Sequence, residues 1–429
     1  MPRLPLSVLT RDGRILFATR MARMFAYGFL SVILVLYLVA LGLSDLRIGL
    51  LLTLTLLGDA AISLWLTTHA DAVGRRRVLR IGAGLMAAAG VVFAVSGNFW
   101  VLLVAATIGV ISVSGGEVGP FMAVEQASLS HILPNSERTR VFGWYSLAGS
   151  FAAAMGSLAA GLLVSALRAI GTSALVSDRA VILGYAVVGL VLVIGFGLLS
   201  PGIELAVADR STIAGRLGLH RSRGTVLRLS GLFSLDSFGG ALVTQSLVAY
   251  WFTLRYGAQP ALLGVLFFVA NLLAGLSSLA AARLAARVGL IRTMVFTHIP
   301  GNVLLILLPL MPNLPLAAVV LFARFSLNSM DVPARQSYVV AVVDPNERSA
   351  AAGVTGIART LSAAPAPLIA TPLIGMAELA SLPFFIGGGL KLSYDILLYF
   401  LYRAARPPEE LPDSRTPGTQ VSADDRRRH

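Results

Sequence analysis

The residues able to do chemistry in this sequence are a handful of charges set in long apolar runs. Asp59 is the one charge between Ile48 and Thr68. It precedes Asp71 by a helical rise of roughly 18 Å, which places it near mid-membrane as a possible proton site. Glu117 lies in Gly115-Gly116-Glu117-Val118-Gly119-Pro120, where the glycines should thin the helix around it. Glu125 follows on nearly the same helical face. Arg324, Asn328, Asp331 and Arg335 recur at intervals of four, three and four, and so form one polar stripe. Asp236 and Arg359 complete the set of interior charges. Each costs about 2.5 to 3.5 kcal/mol to insert, so such residues tend to be kept for a use. An acid at this depth can exchange a proton for a passing cation, and an arginine can bind an anion, assist release of a proton or pair with a carboxylate that ties two helices together. Lys391 and Asp395, four apart, are expected to neutralise each other.

Composition says what must hold these charges. Hydrophobic residues make up 56% of the 429 and charged residues 13%, against about 25% charged in a soluble domain. That is an all-α polytopic membrane protein. There are no cysteines, which removes disulfides, thiolate metal sites and thiol nucleophiles. The histidines at 69, 131, 220, 298 and 429 show no ligand spacing, so no metal or other cofactor is expected. A formal charge of +13 could suggest nucleic acid, but the arginines cluster in alternate loops, which is a topology signal.

Residues 1–23, with Arg3, Arg11, Arg14, Arg20 and Arg23, read as a cytoplasmic leader. The spans are expected near 24–43, 47–68, 78–96, 99–122, 141–166, 179–199, 228–254, 260–282, 293–311, 316–337, 350–374 and 382–402. Residues 24–199 would form one six-helix bundle, 200–227 a plain cytoplasmic linker kept inside by its charge rather than a surface helix on anionic lipid, 228–403 a second bundle and 404–429 a disordered cytoplasmic tail. Both termini would be cytoplasmic, in a plasma membrane such as the inner membrane of a bacterium.

The halves repeat. A shift of 210 places Gln126 on Gln336, Glu137-Arg138 on Glu347-Arg348 and Gly143 on Gly353. A shift of 215 places Gly74 on Gly289 and Arg77 on Arg292, with Ala286 where Asp71 would stand. Arg335 falls opposite Glu125, so the two are candidates to pair, with Asp331 beside them, when a cytoplasmic gate closes.

The turn between the second and third spans reads Asp71-Ala72-Val73-Gly74-Arg75-Arg76-Arg77. This Asp-x-x-Gly-Arg-Arg-Arg pattern resembles the loop signature of the major facilitator superfamily, matched by Asp71, Gly74, Arg75 and Arg76, with Thr67 where the family usually has Gly. The resemblance implies twelve transmembrane helices in two pseudo-symmetric six-helix bundles around a cavity lined by the first, fourth, seventh and tenth spans. Tyr27, Glu117, Asp236, Arg324, Asn328 and Arg359 are then candidates to line it, and Asp59, Glu117 and Asp236 to couple protons. The run Gly143, Ala152, Gly156, Ser157, Ala160, Gly161 resembles the antiporter signature of the fifth span, with Ser157 in place of Pro. Small residues also serve close helix packing.

The expected function is proton-coupled export of a small organic molecule, the partners being that substrate, protons and lipid, with no nucleic acid and no obligate protein partner. The alternative is an importer or uniporter without coupling. The absence of an obvious carbonyl-rich broken helix favours H⁺ over Na⁺. No nucleophile motif or Gly-x-x-x-x-Gly-Lys loop supports an enzyme or an ATP-driven pump.

Overall fold

A computed structural model describes residues 9–117, 119–134, 138–204, 221–344 and 347–402. The tail, most of the linker and the first eight residues lie outside that set, as do the side chains of Asp71 and Asn328. Among the described residues every regular element is a helix. Ten are long and apolar enough to cross a membrane, and Phe99–Ile108 and Leu314–Leu327 begin the remaining two spans.

Four spans are broken, each where the sequence weakens a helix. The fourth runs Phe99–Ile108, leaves the helix through residues 109–117 and 119–120 and resumes as Phe121–Ile132. Here Gly115 and Gly119 have φ of 72° and 78°, which side-chain-bearing residues rarely adopt, and Pro120 supplies no N–H. The expected thinned helix is therefore an open segment, and the sequence does contain a broken span after all. The seventh breaks between Ala241 and Gln245, the tenth between Asn328 and Asp331, and the eleventh at Ala364-Pro365. Phe121 and Asp331 open equivalent second segments, 210 apart, and Arg138 and Arg348 open the fifth and eleventh spans at the same shift. Gly74 and Gly289 match in conformation too, with φ of 102° and 91° at the turn into the next helix.

The first span differs most from expectation. It begins at Arg11 rather than Met24 and runs to Ala40, so residues 11–23 belong to the helix. Hydropathy misplaces the boundary because Arg20 and Arg23, which look like loop charges, are buried and neutralised by acids of the fourth span.

One hydrophobic core runs through the N-terminal half and into the C-terminal half around residues 241–267, 305–321 and 366–384. Those segments lie at the end remote from the Asp71 turn. The turn end of the C-terminal half has a separate core, built on Val226, Phe233, Met294, Tyr338 and Tyr394. The two halves are thus joined at the far end and apart at the turn end, except where the fifth and eighth spans pack side by side as far as Leu147 and Gly275 and where the second span meets the first segment of the eleventh, Arg348–Ala363. Gly161 allows the fifth span to pack on the eighth, since a Cβ there would lie 2.3 Å from the Pro260 carbonyl oxygen, and Gly156 allows the fifth span to pack on the first, where a Cβ would lie 2.0 Å from the Phe25 carbonyl oxygen.

Candidate functional site

Two charged networks occupy the middle of the molecule, one in each half. In the first, Arg20 Nη1 lies 2.7 Å from Glu117 Oε1. Arg23 bonds both Glu117 and Glu125 through its two Nη atoms. Tyr145 donates to Glu125 at 2.5 Å, and the Phe121 ring lies under the Arg23 guanidinium at 4.6 Å. Arg23 and Glu125 are fully buried. The network thus ties the first, fourth and fifth spans, and Glu117, placed at the cavity by sequence, is held by two cations.

The second network is in the C-terminal half. Arg335 Nη1 lies 2.9 Å from Asp331 and 3.2 Å from Asp236. Lys391 reaches across from the twelfth span to Asp236 at 2.5 Å. Asp395 accepts from Asn302 Nδ2 at 2.8 Å and lies 2.8 Å from His298 Nδ1. The self-neutralised Lys391–Asp395 pair is therefore corrected: both face the bundle interior and each bonds residues of other spans. Four-residue spacing permits the local pair, but partners with fuller geometry on the seventh and ninth spans outcompete it. Glu125 and Arg335 do not meet in this structure, each being bonded inside its own half.

Asp59 behaves differently from the other acids. Its Oδ1 accepts from the Gly119 N–H at 2.7 Å and from Ser63 Oγ at 3.4 Å. Among the described residues it has no cation partner. Its bond fastens the second span to the end of the open segment in the fourth.

That segment also touches the other half. Ser246 Oγ lies 2.6 Å from the Val113 carbonyl oxygen and 2.7 Å from that of Ser31. Gln245 Nε2 donates to Ser31 Oγ at 2.8 Å and Ser157 Oγ at 3.3 Å, while Asn271 donates to Gln245 Oε1 at 3.2 Å. Nearer the far end Tyr250 donates to Asp45 at 3.0 Å, and the Leu368 N–H to Thr53 at 3.2 Å. These bonds form a seal across the halves. Ser157, which replaces the proline of the antiporter-like run, is one of its members.

The other predicted residues are spread more widely. Tyr27 is fully buried beside Arg23. Arg324 is 7% exposed, and its Nε has no hydrogen-bond partner. Arg359 donates from Nε to Ser237 Oγ at 3.0 Å. At the turn, Glu204 accepts from the Arg75 and Arg76 N–H groups at 2.7 and 3.1 Å, capping the third span at Gly74, while Arg75 and Arg76 reach the Ile203 and Gly197 carbonyls. Sequence reasoning missed Arg20, Arg23, Tyr145, His298 and the Gln245–Asn271 layer. Buried polar residues at mid-span were the available signal for the last two.

The Major Facilitator Superfamily profile matches residues 16–367. An uncharacterized membrane protein of Saccharomyces cerevisiae is 30% identical over 423 residues, covering 92% of this chain and 94% of that one. The crystal structure of the nucleoside transporter NupG superposes with a TM-score of 0.70 at 13% identity, over 92% of this chain and 100% of that one. The D-xylose–proton symporter gives 0.69 at 13% identity, over 90% and 96%. A bacterial homologue of the lysosomal transporter Spinster, inward-facing and unoccupied, gives 0.64 at 15% identity, over 91% and 94%.

Proposed function

Since the chain belongs to the Major Facilitator Superfamily, and so is a membrane transporter and not an enzyme, we propose that it exports a small organic molecule in exchange for protons by alternating access. The observation that carries this reading is the division of the core: joined across the halves at the far end, divided at the turn end. With both termini in the cytoplasm, this is the state open to the cytoplasm.

Asp59 is the coupling acid. Glu117 and Asp236, the other sequence candidates, are each held by two cations, whereas Asp59 holds a backbone N–H. A hydrogen bond to a charged carboxylate is stronger than one to its neutral form. Protonating Asp59 therefore loosens its hold on Gly119, at one end of the open segment. The same segment carries the Val113 carbonyl that accepts from Ser246 of the other half. Proton binding is thereby linked to the seal, and release of the seal to opening of the far end. The charged networks keep each half rigid during that motion.

The test uses inverted membrane vesicles holding the protein under an imposed proton gradient. A broad panel of organic compounds is screened for dissipation of the gradient in wild type, Asp59→Asn and Glu117→Gln. The expected result is a compound active in wild type and inactive in Asp59→Asn. Labelled compounds that equilibrate without disturbing the gradient would instead mark an uncoupled uniporter or importer.

A further inference from the structure

Pairing the interior charges of the described residues leaves a remainder in each half: an acid, Asp59, in the first and cations in the second. Glu117 and Glu125 are met by Arg20 and Arg23, and Asp236 and Asp331 by Arg335 and Lys391. Asp395 is met by His298 and Asn302. Two arginines of the C-terminal half, Arg324 and Arg359, have no carboxylate partner among the described residues. Arg359 has at least the Ser237 hydroxyl. Arg324 has the Phe325 ring, 5.5 Å from its Cζ, and a buried Nε with no acceptor.

Its position rules out a role at the lipid headgroups. Arg324 lies about 15 Å along the helix that starts at Leu314, in the middle of the tenth span. It shares its face with Ala317 and Leu321, both fully buried, while Val319 on the opposite face is 62% exposed. The side chain thus faces the bundle interior and not lipid headgroups. A buried charge without a counter-charge is strongly unfavourable, and a leucine would pack the same place. A guanidinium also presents a planar fork of donors that matches carboxylate and phosphate oxygens.

We propose that Arg324 is the anchor for a small organic anion carrying a carboxylate or phosphate, and that this is the class of solute carried. The inference rests on the transporter reading for the word carried, but the binding site stands without it. The anion supplies the missing counter-charge on arrival.

The test is thermal unfolding of the purified full chain in detergent, with succinate, citrate and glycerol 3-phosphate as probes. Tetraethylammonium, glucose and sodium chloride at matched ionic strength serve as controls. At least one organic anion should raise the melting temperature of wild type, since a ligand bound only by the folded state stabilises it. The shift should vanish in Arg324→Met and shrink at least tenfold in apparent affinity in Arg324→Lys, which keeps charge and loses the fork. Without ligand, Arg324→Met should melt above wild type. No shift with any of the three anions, or the same shift in wild type and both variants, overturns the proposal. Anion binding that depends on Arg324 while no solute crosses vesicles would leave this site standing and remove the transporter proposal. Proton-coupled movement of a cation or sugar, unchanged in Arg324→Lys, would do the reverse.

Discussion

The two halves build the same bond with the charges exchanged. In the N-terminal half a cation on the first span, Arg23, is gripped by acids of the fourth span's open segment and second helix, Glu117 and Glu125. In the C-terminal half an acid on the seventh span, Asp236, is gripped by a cation of the tenth, Arg335. Glu125 and Arg335 occupy equivalent positions, 210 apart, and Arg23 and Asp236 nearly so. What duplication has preserved is a buried ionic tie between corresponding helices, and either polarity satisfies it. The ties also close within each half, which lets the halves move as bodies. The difference lies in what is left over: among the described residues the N-terminal half holds an acid without a cation, Asp59, and the C-terminal half holds cations without acids, Arg324 and Arg359.

The largest effect that would test this comparison comes from Arg23→Ala, which strands the fully buried Glu125. Removing one partner of such a pair costs about 3 to 5 kcal/mol, so the melting temperature of the detergent-purified chain should fall further than for any other single change in either network. A fall no greater than that of the exposed Arg77→Ala would break the comparison. Asp236→Asn should cost less, about 1 to 3 kcal/mol, because Arg335 keeps Asp331 while Lys391 loses its bond. Equal losses in the two variants would show that the halves are not built with different redundancy.

Gln245→Leu acts on the seal rather than on either half. Loss of its bonds to Ser31 and Ser157 should shift the balance of states by about 1 kcal/mol toward closure of the turn end. Spin labels on introduced cysteines are well suited to this, since the chain has none of its own. Shorter label distances across the turn end are expected, and unchanged distances would separate the seal from the conformational balance. Smallest of all, Glu204→Gln and Glu347→Gln each weaken a helix cap, on Arg75 and Arg76 in one half and on Arg221 and Ser222 in the other. Each should lower stability by about 0.5 kcal/mol, the low end for a weakened cap because Gln keeps an acceptor oxygen, and a much larger fall in one would mark that cap as part of a moving joint.

The spans and the internal repeat, down to the alignment of Gly74 on Gly289, were legible because they follow from local composition and residue spacing. The networks were not, because their members are far apart in the chain: Arg23 finds its acids 94 and 102 residues later. Alone, Arg20 and Arg23 look like the positive flank of a span, which is why hydropathy starts the first helix after them. The glycines around Glu117 were visible, but a break there depends on Asp59 and Ser246, contributed by other spans. For Lys391 and Asp395, spacing suggested a local pair and tertiary geometry chose otherwise. Arg324 stood out in sequence as a mid-span charge, and only the bonds of Asp236, Asp331 and Asp395 to other groups show that, among the described residues, it has no carboxylate.

The open segment of the fourth span has a consequence for how this latch can change over generations. Its acceptor at Val113 is a main-chain carbonyl, so no substitution at position 113 can delete it short of reshaping the segment. Ser246, by contrast, supplies its hydroxyl from a side chain. Drift in the strength of the latch should therefore be written at 246 while 113 varies freely among residues of similar bulk, and a lineage could retune its transport cycle by a single hydroxyl.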